Sequence, residues 1–323
     1  MSEKLKLALY WAASCGGCEI AVVELGEKLL DLIEAADIVF WPAGTDFKYA
    51  DVEAMADGYI DVCLFNGAIR TAENEHIAKL LRKKSKIMVA FGSCAHEGCI
   101  PGLANLTDRE GVFTRAYLET PSTDNPTCTL PQAHCKVPEG ELDLPEFYDT
   151  VKTLAQTVQV EYTVPGCPPV ADQVWNVLQA VIKGELPEPG AVVGAWDKTV
   201  CDECERVKGE KKVKHFVRPH EVIADPERCF LEQGIICAGP VTRAGCGRPC
   251  LHAQMPCRGC YGPPDGVYDQ GAKLLGVVMS LIDSEADSAE VQRLVNEIVD
   301  PVGTFYRFSL ADSLLQTVKS QRA

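Results

Sequence analysis

Basic residues are in short supply. Against 46 Asp and Glu there are 31 Lys and Arg, a formal charge of −15 over 323 residues. Neutralising phosphates takes a surplus of cations, so nucleic acid and anionic membrane surfaces are poor partners for this chain. No run reaches the roughly 18 apolar residues of a membrane-spanning helix, which argues against a bilayer span. A convincing export signal is also missing. Lys4, Lys6, the apolar stretch 7–13 and Cys15 faintly resemble a lipoprotein leader, but the stretch is short and reads as well as a first buried strand. The first strand–loop, Trp11-Ala12-Ala13-Ser14-Cys15-Gly16-Gly17-Cys18, lacks the Gly-x-Gly-x-x-Gly pattern, so a dinucleotide site has little support.

What the chain has in excess is cysteine, with 16 residues. Disulfide frameworks belong to small secreted domains that lack a core, and 323 residues are enough for a normal core. Many thiols in a reduced, cytoplasmic protein point instead to metal ions or clusters.

The first half alternates short apolar runs with amphipathic stretches. The runs are 5–10, 36–41, 60–65, 87–91 and 158–164. Helical spacing marks 19–32, with apolar Ile20, Val23, Leu30 and Ile33, and 71–84, with Ile77, Leu80 and Leu81. It marks 171–182 as well, with Val174, Leu178, Val181 and Ile182. This order predicts an α/β, flavodoxin-like parallel sheet with helices on both faces. Right-handed crossovers put like strand ends on one edge, where open sheets bind ligands. Cys15 and Cys18, Cys94 and Cys167 all fall just past C-terminal strand ends, beside Gly16, Gly17, Gly92 and Gly166. Four thiolates gathered there suit a 4Fe-4S cluster or zinc. Cys63, in mid-strand, reads as a small core hydrophobe.

The proline-rich stretch 99–145 interrupts the alternation as a long loop, and such loops are usually functional or partner-bound. Its Cys99, Cys128 and Cys135 read as free thiols. The Pro/Gly-rich stretch 184–194 marks a boundary. Beyond it, Cys201, Cys204, Cys229, Cys237, Cys246, Cys250, Cys257 and Cys260 crowd into one region with little periodic pattern. Metal–thiolate bonds would then carry much of its folding free energy. The spacing between the two Cys-x-x-Cys pairs is too long for a zinc ribbon. Lys208, Lys211, Lys212 and Lys214 form a charged turn or a docking spot for an acidic partner. His215 and His220 are left out as ligands. Stretches 270–282, 288–298 and 308–318 look helical, the second opened by Asp287-x-x-Glu290. The predicted units are therefore 1–186, the α/β domain; 187–265, a loop-rich cysteine domain; and 266–323, a helical tail.

Cys15-Gly16-Gly17-Cys18, Gly92-Ser93-Cys94 and Gly166-Cys167-Pro168-Pro169, followed by a cysteine-rich second half, resemble the small subunit of nickel–iron hydrogenases over nearly the whole chain. Within that superfamily the chain is most similar to the cytosolic viologen-reducing, deazaflavin-non-reducing branch of methanogen-type complexes. Two stretches direct that choice, Arg218-Pro219-His220-Glu221 through Cys229-Phe230-Leu231-Glu232-Gln233-Gly234, and Met255-Pro256-Cys257-Arg258-Gly259-Cys260-Tyr261-Gly262-Pro263. The resemblance implies an oxidoreductase subunit with three 4Fe-4S clusters and no bond chemistry of its own. The proximal cluster would use Cys15, Cys18, Cys94 and Cys167. The distal-type cluster would use Cys201, Cys204, Cys229 and Cys237, where exported relatives put a His in place of Cys201. The medial-type cluster would use Cys246, Cys250, Cys257 and Cys260, where exported relatives have three cysteines and a 3Fe-4S cluster.

The implied partners are a large subunit holding the NiFe centre, a small iron–sulfur adaptor, and a flavin-bearing heterodisulfide reductase-type complex. The implied location is cytoplasmic, without nucleic acid or a membrane span. Glu19 sits one place earlier than the proton-linked acid of exported relatives and is a candidate for that role; otherwise it is a helix N-terminal acid. Cys99, in the unusual run His96-Glu97-Gly98-Cys99, competes with Cys94 as a ligand, though Cys94 directly follows the strand. Two rival readings remain. One is an iron–sulfur module of a related non-hydrogenase complex, whose quinone-reductase branch generally lacks the second cysteine domain. The other is a zinc-structured binding protein.

Overall fold

The structure is a computed structural model that describes residues 4–209, 212–283 and 285–315. Its centre is a five-stranded sheet of β1 (Leu5–Trp11), β2 (Ala36–Phe40), β3 (Ile60–Asn66), β4 (Ser85–Phe91) and β5 (Tyr162–Val164). The order is β2-β1-β3-β4-β5 and every pairing is parallel, the flavodoxin-like arrangement. Register aligns Leu9 with Leu64 and Leu64 with Val89, so one row of aliphatic side chains crosses the sheet. The next row, Tyr10, Phe65 and Ala90, points the other way.

This alternation builds two cores. Leu7, Leu9, Val62, Leu64, Val89 and Phe91 pack under α1 (Gly17–Val23), α2 (Lys28–Ala35) and, farther along the chain, the helix Ala171–Lys183. Tyr10, Phe40, Cys63, Phe65, Met88 and Ala90 pack under α3 (Ala72–Lys84) through Ile77 and Leu81. Thr71 caps α3 by accepting the Asn74 N–H, and Arg82, Lys83 and Lys84 sit at its negative end. Phe65 is fully buried, with its ring centroid 5.2 Å from that of Tyr10. Phe65→Ala should cost about 3–5 kcal/mol. A urea titration of the variant, followed by far-UV circular dichroism, should show that loss; an unchanged midpoint would contradict this packing.

Three expectations need correction. The stretch 19–32 is two helices, not one, because the chain turns at Gly26, whose φ is +58°. Its supposed inner face is also outside: Ile20, Val23, Leu30 and Ile33 are each at least half exposed, while Ala21, Val22 and Leu32 go inward. The insertion is not a structureless loop. It holds the helix Arg109–Thr114 and the hairpin of His134–Val137 with Gly140–Asp143. Just past it, Phe147–Lys152 pairs antiparallel with Ile69–Thr71. Cys128 and Cys135 are exposed there, and Cys63 is fully buried in β3.

The stretch 184–194 lies against β5, where Val193 N–H donates to Thr163 and Thr163 N–H to Ala191, covering the sheet edge. Beyond it the backbone is mostly turns and single helical turns. Further helices around the site are α4 (Ser93–Glu97), α5 (Ala171–Lys183), α6 (Gln270–Met279), α7 (Ser288–Asn296) and α8 (Pro301–Phe305). Asp287 caps α7 by accepting the Glu290 N–H at 2.8 Å. The tail helices share a third core with the cysteine-rich segment, where Phe216, Phe230, Ile235 and Val241 meet Leu274, Val278, Leu294 and Phe305. Of the supposed helix at 308–318, Leu310–Asp312 forms a 3-10 turn, and 316–318 lie outside the described residues. Lys211 lies outside them too, while Lys208 reaches the Cys201 carbonyl and Lys212 pairs with Asp283. His215 pairs with Glu297. No helix among the described residues is long and apolar enough to cross a membrane.

Candidate functional site

The C-terminal edge of the sheet gathers five cysteines. Cys15 leaves β1 exposed, Cys18 is buried in α1, Cys94 is buried in α4, and Cys167 follows β5 before a cis Pro168. Gly92 lets them close up. A Cβ on Gly92 would stand 2.3 Å from Cys18 Sγ, and its φ of +84° suits glycine alone. Burial first, then the charges of Cys94, Cys167 and Cys15, push the Cys18 thiol up. The fifth sulfur is Cys99. It is a free thiol, fully buried, with its Sγ 3.5 Å from Cys167 Sγ, so it stands within the group beside Cys94. Cys99 raises its own thiol by hydrogen bonding to Cys167 and Cys94, while the same bond lowers Cys167 to about 7.

A second group abuts the first. Cys246, Cys250, Cys257 and Cys260 line one cavity of about 290 Å³, which Cys167 also reaches. Ser93 joins the two groups: its hydroxyl donates to the Cys260 carbonyl and accepts from the Gly166 N–H at 3.2 Å. Tyr261 adds a second tie by donating to Gln173 on α5, whose amide donates to the Pro165 carbonyl at 3.0 Å. Ser93 and Tyr261 appear in the sequence only as members of cysteine motifs, and nothing there marks Gln173. Burial pushes Cys257 up to about 12 and raises Cys246 and Cys260.

The third group starts at Cys237, which feels the charges of Cys257 on one side and Cys201 on the other. Cys201 and Cys237 flank Gly239, where a Cβ would lie 3.2 and 3.6 Å from their sulfurs. Cys204 follows one helical turn after Cys201, and the Cys229 N–H donates to Val207, three residues beyond Cys204.

These sites suit a soft, cationic inorganic group. Raised thiols packed against one another resist ionising together unless positive charge sits among them, and coordinated thiols ionise outright. Several sulfurs are already turned toward backbone donors. Cys246 accepts the Arg248 N–H at 3.4 Å, Cys237 accepts from Gly239, and Cys257 accepts from Gly259. Such bonds orient metal-binding thiolates and tune what they hold. Among the described residues, no group of three or more Cys, His, Asp or Glu side chains is arranged around a single metal ion.

Glu19 lies in α1 beside the first group and is 5% exposed. Trp41 Nε1 donates to its Oε2, while Oε1 is buried without a hydrogen-bond partner. Burial raises this carboxyl, partly offset by Trp41 and the neighbouring Asn66. Around Cys15, Trp11, Ile20 and Val23 are 46%, 58% and 52% exposed, an apolar face next to the first thiol group.

Comparison with known proteins finds relatives of this chain. The family described as NADH ubiquinone oxidoreductase, 20 Kd subunit, matches residues 15–181. The iron-sulfur subunit of the F420-non-reducing hydrogenase of Archaeoglobus profundus is 44% identical over 317 residues, 96% of this chain and 98% of that one. The corresponding F420-non-reducing hydrogenase chain of Methanothermobacter marburgensis is 35% identical, covering 98% of this chain and 97% of that one. A chain in the crystal structure of an NAD+-reducing [NiFe]-hydrogenase in the H2-reduced state is 28% identical, with a TM-score of 0.49, over 58% of this chain and 95% of that one. With the two F420-non-reducing hydrogenase chains matching along almost its full length, the chain belongs to the family of small, electron-transferring subunits of F420-non-reducing hydrogenases, oxidoreductases whose active site stands on the large subunit.

Proposed function

We propose that this subunit carries three 4Fe-4S clusters in a line from the large subunit to an acceptor. The proximal ligands are Cys15, Cys18, Cys94 and Cys167; the medial-type, Cys246, Cys250, Cys257 and Cys260; the distal-type, Cys201, Cys204, Cys229 and Cys237. The observation that carries this reading is the continuity of the sulfur groups. Cys260 packs in one small buried group with Cys94 and Cys167, and Cys257 neighbours Cys237. When bound, the clusters supply one-electron capacity between the NiFe centre and the acceptor.

The chain's own residues do the rest. They hold sulfur, exclude water and donate N–H groups to the ligands. The medial-type and distal-type sites belong to 187–265, the proximal site to 1–186, and Leu274, Val278, Leu294, Phe305 and Phe308 of the tail pack against them. The large subunit docks on the exposed face of Trp11, Ile20 and Val23, where Cys15 reaches the surface. Glu19, buried behind that face, holds a proton in transit to or from the large subunit. The acceptor is an iron–sulfur adaptor with a flavin-bearing heterodisulfide reductase-type complex, in the cytoplasm.

Metal and sulfide analysis of the purified complex tests the central claim. About twelve iron and twelve sulfide are expected for this subunit, from three cages of four thiolates. A count of four or fewer removes the relay, and zinc without sulfide in a colourless protein replaces it with a structural role.

A further inference from the structure

Five thiols meet at the sheet edge, and four complete a 4Fe-4S cage. The surplus sulfur needs a role, and its role rests on the proximal ligand assignment proposed above. Cys94 comes directly off β4, whereas Cys99 enters from the next turn of chain. Cys99 Sγ stands 3.5 Å from Cys167 Sγ and packs beside Cys94, with no exposure to solvent. We propose that Cys99 remains a thiol and donates its S–H to the sulfur of Cys167, setting the reduction potential of the proximal cluster from outside its ligand shell.

The position is built, not incidental. Cys99 has a φ of +46°, in the left-handed region that a residue with a side chain keeps only where its surroundings demand it. Those surroundings come from the tail. The Cys99 N–H donates to the Phe308 carbonyl at 2.9 Å. The preceding Gly98, with φ +83°, fits because a Cβ there would stand 2.4 Å from Ala311 Cβ. Phe308 packs with Cys94, Cys99, Cys167 and Cys260. A thiol is a weak donor, so it matters only where water cannot compete. On the donor side Cys99 meets that condition, being fully buried. Cys63 shows the contrast: it is equally buried, but lies in mid-strand among the apolar side chains of the second core.

The consequence is electrostatic. A donor at a ligand sulfur favours the reduced cluster, which carries one more negative charge, so it raises the potential. The test uses the assembled complex of wild type, Cys99→Ala and Cys99→Ser, with iron and sulfide counts and a redox titration of the proximal cluster followed by electron paramagnetic resonance. The alanine variant should keep its iron and sulfide and become harder to reduce. At the wild-type midpoint its ratio of reduced to oxidised cluster should fall several-fold; a tenfold fall is about 59 mV for one electron. Serine keeps an O–H donor and should recover most of the shift. An unchanged midpoint in Cys99→Ala would reduce Cys99 to packing. Loss of iron or sulfide in that variant alone would make Cys99 a ligand and overturn the donor role. A wild-type complex lacking a four-iron proximal cluster would take the ligand assignment down as well, and the wild-type count separates that failure from the others.

Discussion

Cys18→Ala is expected to remove the proximal cluster whole. Iron in this subunit should drop by about four, and hydrogen-dependent viologen reduction by the complex should fall more than about 100-fold, the upper range for changes around a metal site. The reasons are geometric. Cys18 is 6% exposed, and its sulfur faces Cys15, Cys94 and Cys167, with Gly92 shaped to let it in. The sheet itself should survive, because the substitution removes only one small atom group from a core that Leu9, Leu64 and Val89 already fill. Circular dichroism should therefore match wild type while iron does not. Cys63→Ala is the control: equally buried, it should leave iron and activity unchanged. Full iron in Cys18→Ala would mean that the cage is built elsewhere.

Glu19→Gln is expected to slow proton exchange without touching the clusters. Hydrogen–deuteron exchange by the complex should fall by about 10²–10⁴, the usual contribution of a positioned proton-transfer group. The carboxyl qualifies on position and on environment. It is buried at the sheet edge between Trp41 and Asn66, with one oxygen satisfied and one free. Its pKa is raised because burial disfavours the charged form, which keeps it protonated to higher pH than an exposed glutamate. The pH profile of exchange in wild type should therefore carry a titration displaced upward from ordinary glutamate, absent in Glu19→Gln and partly restored in Glu19→Asp. Exchange unaffected in Glu19→Gln would leave Glu19 as a helix N-terminal acid and nothing more.

Much of this architecture is legible in the amino-acid order. Alternating apolar runs and helical spacing give the parallel sheet, since a buried strand and an amphipathic helix have different periods. The thiols after β1, β4 and β5 follow, because right-handed crossovers send those strand ends to one edge. Other features are not legible there. Ile20 and Val23 have the spacing of a core face yet point outward, because the side of a helix that meets a sheet depends on where the chain turns before and after it, here at Gly26. The long insertion looks empty in sequence because its elements are too short to show a period.

The sequence by itself determined the α/β alternation, the placement of cysteines at strand tips and in the second half, and through its motifs the hydrogenase kinship. Those are local properties, written in spacing and residue type. The tertiary structure alone decided that Cys99 lies against Cys167, that Ser93 ties the first thiol group to Cys260, and that the tail shares a core with the cysteine-rich segment. Each of these is a contact between residues far apart along the chain or brought in by an unusual backbone turn. Such contacts depend on how whole elements pack, and no window of sequence contains both partners.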